Sequence, residues 1–127
     1  VNIVNKNNLY FQKDVSDMKT KLIQEAWALL LPSVKEGWGM VVTEAASCGT
    51  PSIVSNVSGI KDSVKQNKTG IILSKFPDEK ELGDAMIEFI EDIKKRERMS
   101  VAARKWSAGF TWERSYNMFI SLLMRNA

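Results

Sequence analysis

Two glutamates, Glu36 and Glu44, separated by seven residues, carry the clearest chemistry in this sequence. They lie in the stretch EGWGMVVTEAASCGTP, which follows the apolar run Ala28-Leu29-Leu30-Leu31 and the pair Pro32-Ser33. Gly37 and Gly39 have no Cβ, so the backbone around Trp38 is free to take positive φ and to approach a ligand closely. A helix that starts near Gly39 or Met40 leaves its first amides without intrahelical partners. Together with the positive end of the helix dipole, those amides form a seat for phosphate. Glu36 in the loop and Glu44 about one turn into the helix do not suit the phosphate itself, because like charges repel. An ionised carboxylate does suit hydroxyl groups, with room for two O–H donors. A phosphate cradle flanked by two hydroxyl acceptors is what a nucleotide sugar requires. Gly49 then closes the helix as an αL cap, and Pro51 cannot continue it.

The elements that must position these groups follow from the pattern around them. An apolar run, a glycine-bracketed turn and a helix start describe a strand–loop–helix unit of an α/β protein, with ligands collecting at the carboxyl ends of the strands. Ala28–Leu31 reads as a buried parallel strand, apolar on both faces, and Pro51–Ser55 as the next. Leu9–Gln12 and Ile71–Leu73 are shorter strands, the latter after the turn Asn67-Lys68-Thr69-Gly70. That makes about four strands, fewer than a complete Rossmann sheet holds. The others are expected before Val1, where the lack of an initiator Met also suggests a piece of a longer protein.

Met18, Leu22, Ile23, Ala26 and Trp27 predict a first amphipathic helix, with Asp14, Ser16 and Asp17 as capping candidates. From Pro77 onward the chain reads as helical. Leu82, Ala85, Met86, Phe89, Ile90 and Ile93 form one apolar stripe, and Met99–Trp106 a further short helix. Thr111 is placed to cap a last helix bearing Tyr116, Phe119, Ile120 and Leu123. Trp106, Phe110 and Trp112 are expected to pack in the interior.

The segment LPSVKEGWGMVVTEAASCGTPSIV is similar to the E-x7-E signature of retaining family-4 glycosyltransferases, whose pattern runs LPS-x-x-EGFG-x-x-x-LEA-x-A-x-GTPVV. Trp38 stands for the usual Phe, Thr43 for a common Leu, and Ser52-Ile53 for Val-Val. The resemblance continues more weakly through VSGIKDSV, where the family often carries Gly-Gly at Ser58-Gly59, then NKTGIIL, MSVAARKWSAGFTWERS and the final helix. It implies an α/β fold: a Rossmann-like parallel sheet with helices on both faces, as the incomplete half of a GT-B two-domain fold.

Residues 1–127 would then be the carboxyl-terminal, nucleotide-sugar-binding domain, with the amino-terminal acceptor domain and the first strands absent. The implied reaction is transfer of a sugar from a nucleotide-diphosphate sugar with retention. In the family's terms Glu44 holds the ribose hydroxyls and Glu36, the catalytic candidate, faces the donor sugar. The backbone of Trp38, Gly39 and Met40 lies on sugar and diphosphate, and Gly37 and Val41 complete the donor-binding stretch. No metal or other cofactor is expected, since the family uses an Arg and a Lys to neutralise the leaving diphosphate. Both are expected upstream of Val1. The implied partners are the nucleotide sugar and, through the missing domain, a sugar or lipid-linked acceptor. The last helix in this family often crosses back toward the partner domain, and one half alone is expected to be inactive.

Composition sets the outer limits. A chain of 127 residues, 44% hydrophobic and 26% charged, is one soluble globular domain by size and able to bury a core. A net charge of +3 with both signs interspersed gives no footprint for nucleic acid. No apolar run reaches membrane-span length, and the first residues given do not carry a signal-peptide pattern. A single cysteine fits a cytoplasmic location, with peripheral membrane contact of the parent enzyme left open. The charge-rich run from Glu91 to Arg98 reads as a solvated helix face, because Glu91, Asp92 and Glu97 interrupt the basic residues. The absence of histidine excludes a His-dependent triad. A different class stays open beside the enzyme: a non-catalytic nucleotide- or sugar-binding module, or one that only pairs with another subunit. An NAD-type Rossmann domain is disfavoured, because Gly37-x-Gly39 lacks a third glycine at position 42.

Overall fold

Strands that are apolar on every position must be covered on both sides, and this one constraint organises the molecule. A computed structural model describes residues 2–4, 9–11 and 18–126, with side chains from Met18 to Asn126. Its strands are β1 (Asn2–Val4), β2 (Leu9–Phe11), β3 (Ala28–Leu31), β4 (Ser52–Val54) and β5 (Gly70–Ile72). Its helices are α1 (Lys19–Glu25), α2 (Met40–Ser47), α3 (Ile60–Ser63), α4 (Glu79–Glu91), α5 (Ile93–Ser107) and α6 (Trp112–Arg125). The sheet runs β2-β1-β3-β4-β5. Strands β3, β4 and β5 are parallel, with Leu29 opposite Ser52 and Ile53 opposite Ile71.

Side chains alternate along these strands with the period of two that the pleat imposes. Leu29 and Val54 point to one face, into a core with Ile23 of α1, Val42 and Ala45 of α2, and Ile60 of α3. Ala28, Ile53 and Ile71 point to the other, against Ala85 and Phe89 of α4 and Met99 of α5. The fold is the α/β, Rossmann-like arrangement with helices on both faces. The parallel pattern stops at β1, however, which pairs antiparallel with both β2 and β3. Residues 2–4 were not expected to be a strand. The link from Val4 to Leu9 is too short for a crossover, so β1 and β2 form an antiparallel pair.

The helical half differs in its boundaries. The stripe read from Leu82 to Ile93 is broken at Asp92, whose carboxylate accepts the Lys95 amide at 2.9 Å and so starts α5. Ile93 falls outside α4 and is 55% exposed. Glu91 closes α4, and the rest of the charged run, Lys94 to Arg98, forms one continuous α5 with the short helix expected at Met99–Trp106. Thr111 caps α6 as expected, accepting the Arg114 amide at 3.1 Å. Phe110 and Trp112 are not interior residues: Phe110 is 38% exposed, and Trp112 is 93% exposed at the first position of a helix with no buried residue. The residue preceding α1 is Met18, which offers no side-chain cap. The capping candidates Asp14, Ser16 and Asp17 lie outside the described residues, as does Gln12 of the expected strand Leu9–Gln12.

Candidate functional site

Strand β3 ends at Leu31, and the chain then turns through Pro32–Gly39 into α2 at the carboxyl edge of the parallel strands. Gly39 makes the turn possible. It precedes the helix in the left-handed region (φ 73°), with Ile60, Val42 and Leu31 packed where a Cβ would point, the nearest atom 3.3 Å away. With no side chain, Gly39 takes only the Val42 N–H, on its backbone carbonyl at 2.9 Å, and offers no cap to the Met40 and Val41 amides. The contrast with α4, α5 and α6 is direct, since Asp78, Asp92 and Thr111 each accept a backbone N–H there. The α2 amino terminus therefore keeps outward-facing donors at the strand edge. Its other end is closed by a Schellman motif, Gly49 N–H to Ala46 and Thr50 N–H to Ala45, both at 2.9 Å.

Gly37 differs from the reading of the sequence. Among the described glycines, positive φ falls on Gly39, Gly49 and Gly59, and not on Gly37. What Gly37 supplies is a backbone surface. Gly59, in the loop after β4 at φ 91°, sits so close that a Cβ on it would lie 1.8 Å from the Gly37 carbonyl oxygen. This loop carries Ser58-Gly59 where the resembled family has Gly-Gly, and Gly59 is the position where only a glycine fits.

The two carboxylates stand in different surroundings. Glu36 is exposed in the loop, and its Oε1 accepts the Ser33 hydroxyl at 3.3 Å. Glu44, about one turn into α2, has its Oε2 paired with Lys19 Nζ of α1 at 2.6 Å. Lys19 was not singled out in the sequence. The two residues are far apart in the chain, and the contact exists only because α1 and α2 cover the same sheet face. Both side chains are about a third exposed or more, at 34% and 46%, so the pair does more to orient the carboxylate than to stabilise the fold. Met40 is 73% exposed, whereas Val41 packs against the core, which leaves its backbone rather than its side chain for a ligand.

Trp38 is held from two sides. Its indole Nε1–H donates to Thr43 Oγ1 at 2.8 Å, and Phe110 meets its ring edge-on at 5.4 Å. Phe110 meets Trp106 in turn at 4.8 Å, and Trp106 Nε1–H donates to the Ser63 carbonyl at 3.1 Å. Beside this aromatic row runs an open groove of about 400 Å³, walled by Trp38, Met40, Thr43, Glu44, Phe110 and Trp112. Glu44 lines the groove and Glu36 does not. The stretch is therefore one strand-edge surface made of an uncapped helix start, a glycine-packed loop and two carboxylates. Among the described residues no cluster of His, Cys, Asp and Glu could hold a metal ion. No helix of those residues is long and apolar enough to cross a membrane.

Comparison with known proteins bears on family and fold. Residues 2–106 match the family described as glycosyl transferases group 1. The D-inositol 3-phosphate glycosyltransferase of Paenarthrobacter aurescens is 30% identical over 92 residues, covering 72% of this chain and 22% of that protein. The chain is similar in fold to sucrose-phosphate synthase from Thermosynechococcus elongatus, with a TM-score of 0.74, 24% identity, and coverage of 93% of this chain and 30% of that one. It is also similar to Anabaena HepE solved in complex with UDP-glucose (TM-score 0.72, 20% identity, 92% and 31% coverage). The chain thus spans about a fifth of the length of the sequence relative and under a third of the solved structures.

Proposed function

The chain belongs to the glycosyl transferases group 1 family, and on that premise we propose that it is the donor-binding half of a retaining family-4 enzyme of GT-B type. The donor is a nucleotide-diphosphate sugar, seated at the carboxyl ends of β3 and β4. The observation that carries this reading is the uncapped start of α2, with Glu36 just before it and Glu44 one turn inside it. The first amides of α2 and the Gly39 turn would hold the diphosphate. Glu44 would accept the ribose hydroxyls. Lys19 already occupies its Oε2 and fixes the direction in which the other oxygen points.

Glu36 would face the sugar being transferred, where a carboxylate accepting sugar hydroxyls acts on the transition state more than on the nucleotide. Backbone donors aimed at the leaving diphosphate supply electrostatic stabilisation without a metal ion. The acceptor, a sugar or a lipid-linked sugar, would be held by another domain of a longer polypeptide that works in the cytoplasm, at or away from a membrane surface. UDP-glucose, the ligand in the Anabaena structure, is the first donor to test.

The deciding measurement is calorimetric titration of the intact protein with UDP and with 2′-deoxy-UDP, for wild type and Glu44→Ala. Wild type should prefer the ribonucleotide, and Glu44→Ala should lose roughly 1–3 kcal/mol of binding and most of that preference. Equal binding of both nucleotides by wild type would remove Glu44 from the ribose.

A further inference from the structure

We propose that Trp38 and Thr43 are a coupled pair of positioning residues, which pins the loop carrying Glu36 to the first turns of α2. This rests, for its functional consequence, on the nucleotide-sugar reading of the site. Both positions depart from the family pattern, Trp38 from Phe and Thr43 from Leu, and the two departures meet in a single hydrogen bond of 2.8 Å. An indole introduces an N–H that Phe lacks, and Thr43 introduces the acceptor that Leu lacks. Trp38 lies two residues after Glu36, and Thr43 immediately precedes Glu44. The bond therefore ties together the two segments whose carboxylates the site requires.

The backbone side of the same loop is fixed by Gly59 against Gly37, and the outer edge of the indole by Phe110. Among these contacts, the hydrogen bond to Thr43 is the one that joins the loop directly to α2. Without it the indole N–H loses its acceptor, while the edge contact with Phe110 remains.

The test uses Thr43→Val, which keeps the shape and removes the acceptor, and Thr43→Ser, which restores it, in the ¹⁵N-labelled intact protein. Trp38→Phe identifies the indole resonance by its disappearance. In wild type that indole N–H should be protected from exchange, and the Gly37 and Gly39 amides should have order parameters near the rigid-backbone value of about 0.85. Thr43→Val should expose the indole N–H and loosen both glycines, while α4 and α5 stay unchanged and Thr43→Ser behaves as wild type. Sugar transfer from the donor should fall roughly fivefold to tenfold in kcat in Thr43→Val, with nucleoside diphosphate affinity within about twofold of wild type. Thr43→Leu should be worse than the double variant Trp38→Phe/Thr43→Leu, since the double variant leaves no unpaired N–H.

An unchanged indole resonance in Thr43→Val, or rigid glycines after its loss, overturns the pair. So does wild-type kcat in a variant whose loop has loosened. If the wild type neither binds nucleotide nor transfers sugar, the nucleotide-sugar reading falls. The pinning of the loop is then decided by the resonances alone.

Discussion

Gly59 rests on the carbonyl of Gly37: a Cβ at Gly59 would lie 1.8 Å from that oxygen and 2.6 Å from its carbon. One glycine thus sets the separation between the loop after β4 and the loop that carries Glu36. The second requirement on Gly59 is its backbone, at φ 91° and ψ −67°, a region that L side chains rarely adopt.

Gly59→Ala is accordingly expected to destabilise the protein by roughly 2–4 kcal/mol, from the strained dihedral together with the overlap. Gly37→Ala is the control. Nothing lies within 4 Å of the place its methyl would take and its φ is not positive, so the cost should stay within about 1 kcal/mol. Urea unfolding of both variants measures the difference. Equal midpoints would mean that the two loops separate freely.

Glu36→Gln is expected to lower kcat of the intact enzyme while leaving affinity for free nucleoside diphosphate nearly unchanged. Glu36 stands outside the groove that Glu44 lines, and its one described partner is the Ser33 hydroxyl. A group placed on the transferred sugar acts through the transition state, so the loss should appear in kcat and kcat/KM alike. Steady-state kinetics paired with calorimetry separates the two cases. An equal loss of nucleotide affinity would move Glu36 to the nucleotide cradle.

Much of this was legible from the sequence because the cues were local. The run Ala28–Leu31, the Gly39 turn and the Gly49 cap each depend on neighbours within a few residues, and each is where it was expected. The Asp92 break was masked because the apolar spacing continues through Ile93 while the capping carboxylate interrupts the backbone. Lys19 beside Glu44, Gly59 against Gly37 and Trp38 bonded to Thr43 all depend on how segments come together. Trp38 and Thr43 both stand out in the sequence as departures from a pattern, yet only the fold reveals that they answer one another.

Helix α6 leads to a stability prediction. None of its residues is buried, and Trp112, Tyr116, Phe119 and Leu123 are all at least half exposed. Removing residues 112–127 should therefore change the unfolding free energy of the remainder by less than about 1 kcal/mol, because little apolar surface is re-exposed. The same truncation should sharply reduce binding of an apolar dye, since exposed apolar surface of this extent attracts such ligands. Chemical denaturation and dye fluorescence on the two lengths provide the check. A large loss of stability would show that α6 is packed on the body in solution.

The last prediction concerns the 127-residue chain by itself. It should bind a nucleoside diphosphate weakly, without added metal, and transfer no sugar. Binding draws on groups it contains: the free amides of α2, the Gly39 turn and Glu44. Transfer asks for more, because the acceptor must be held in line with the anomeric carbon and water kept from the bond being broken. The groove beside Glu44, walled by Trp38, Phe110 and Trp112, is open to solvent on the described surface. Incubation with UDP-glucose and other nucleotide sugars, with simple sugars as acceptors, should yield no transfer product. Calorimetry under the same conditions should still register the nucleotide, more weakly for Glu44→Ala. Robust turnover by these residues alone would overturn the assignment of acceptor binding to another domain. Turnover lost on chelation and restored by a divalent cation would overturn the metal-free cradle as well.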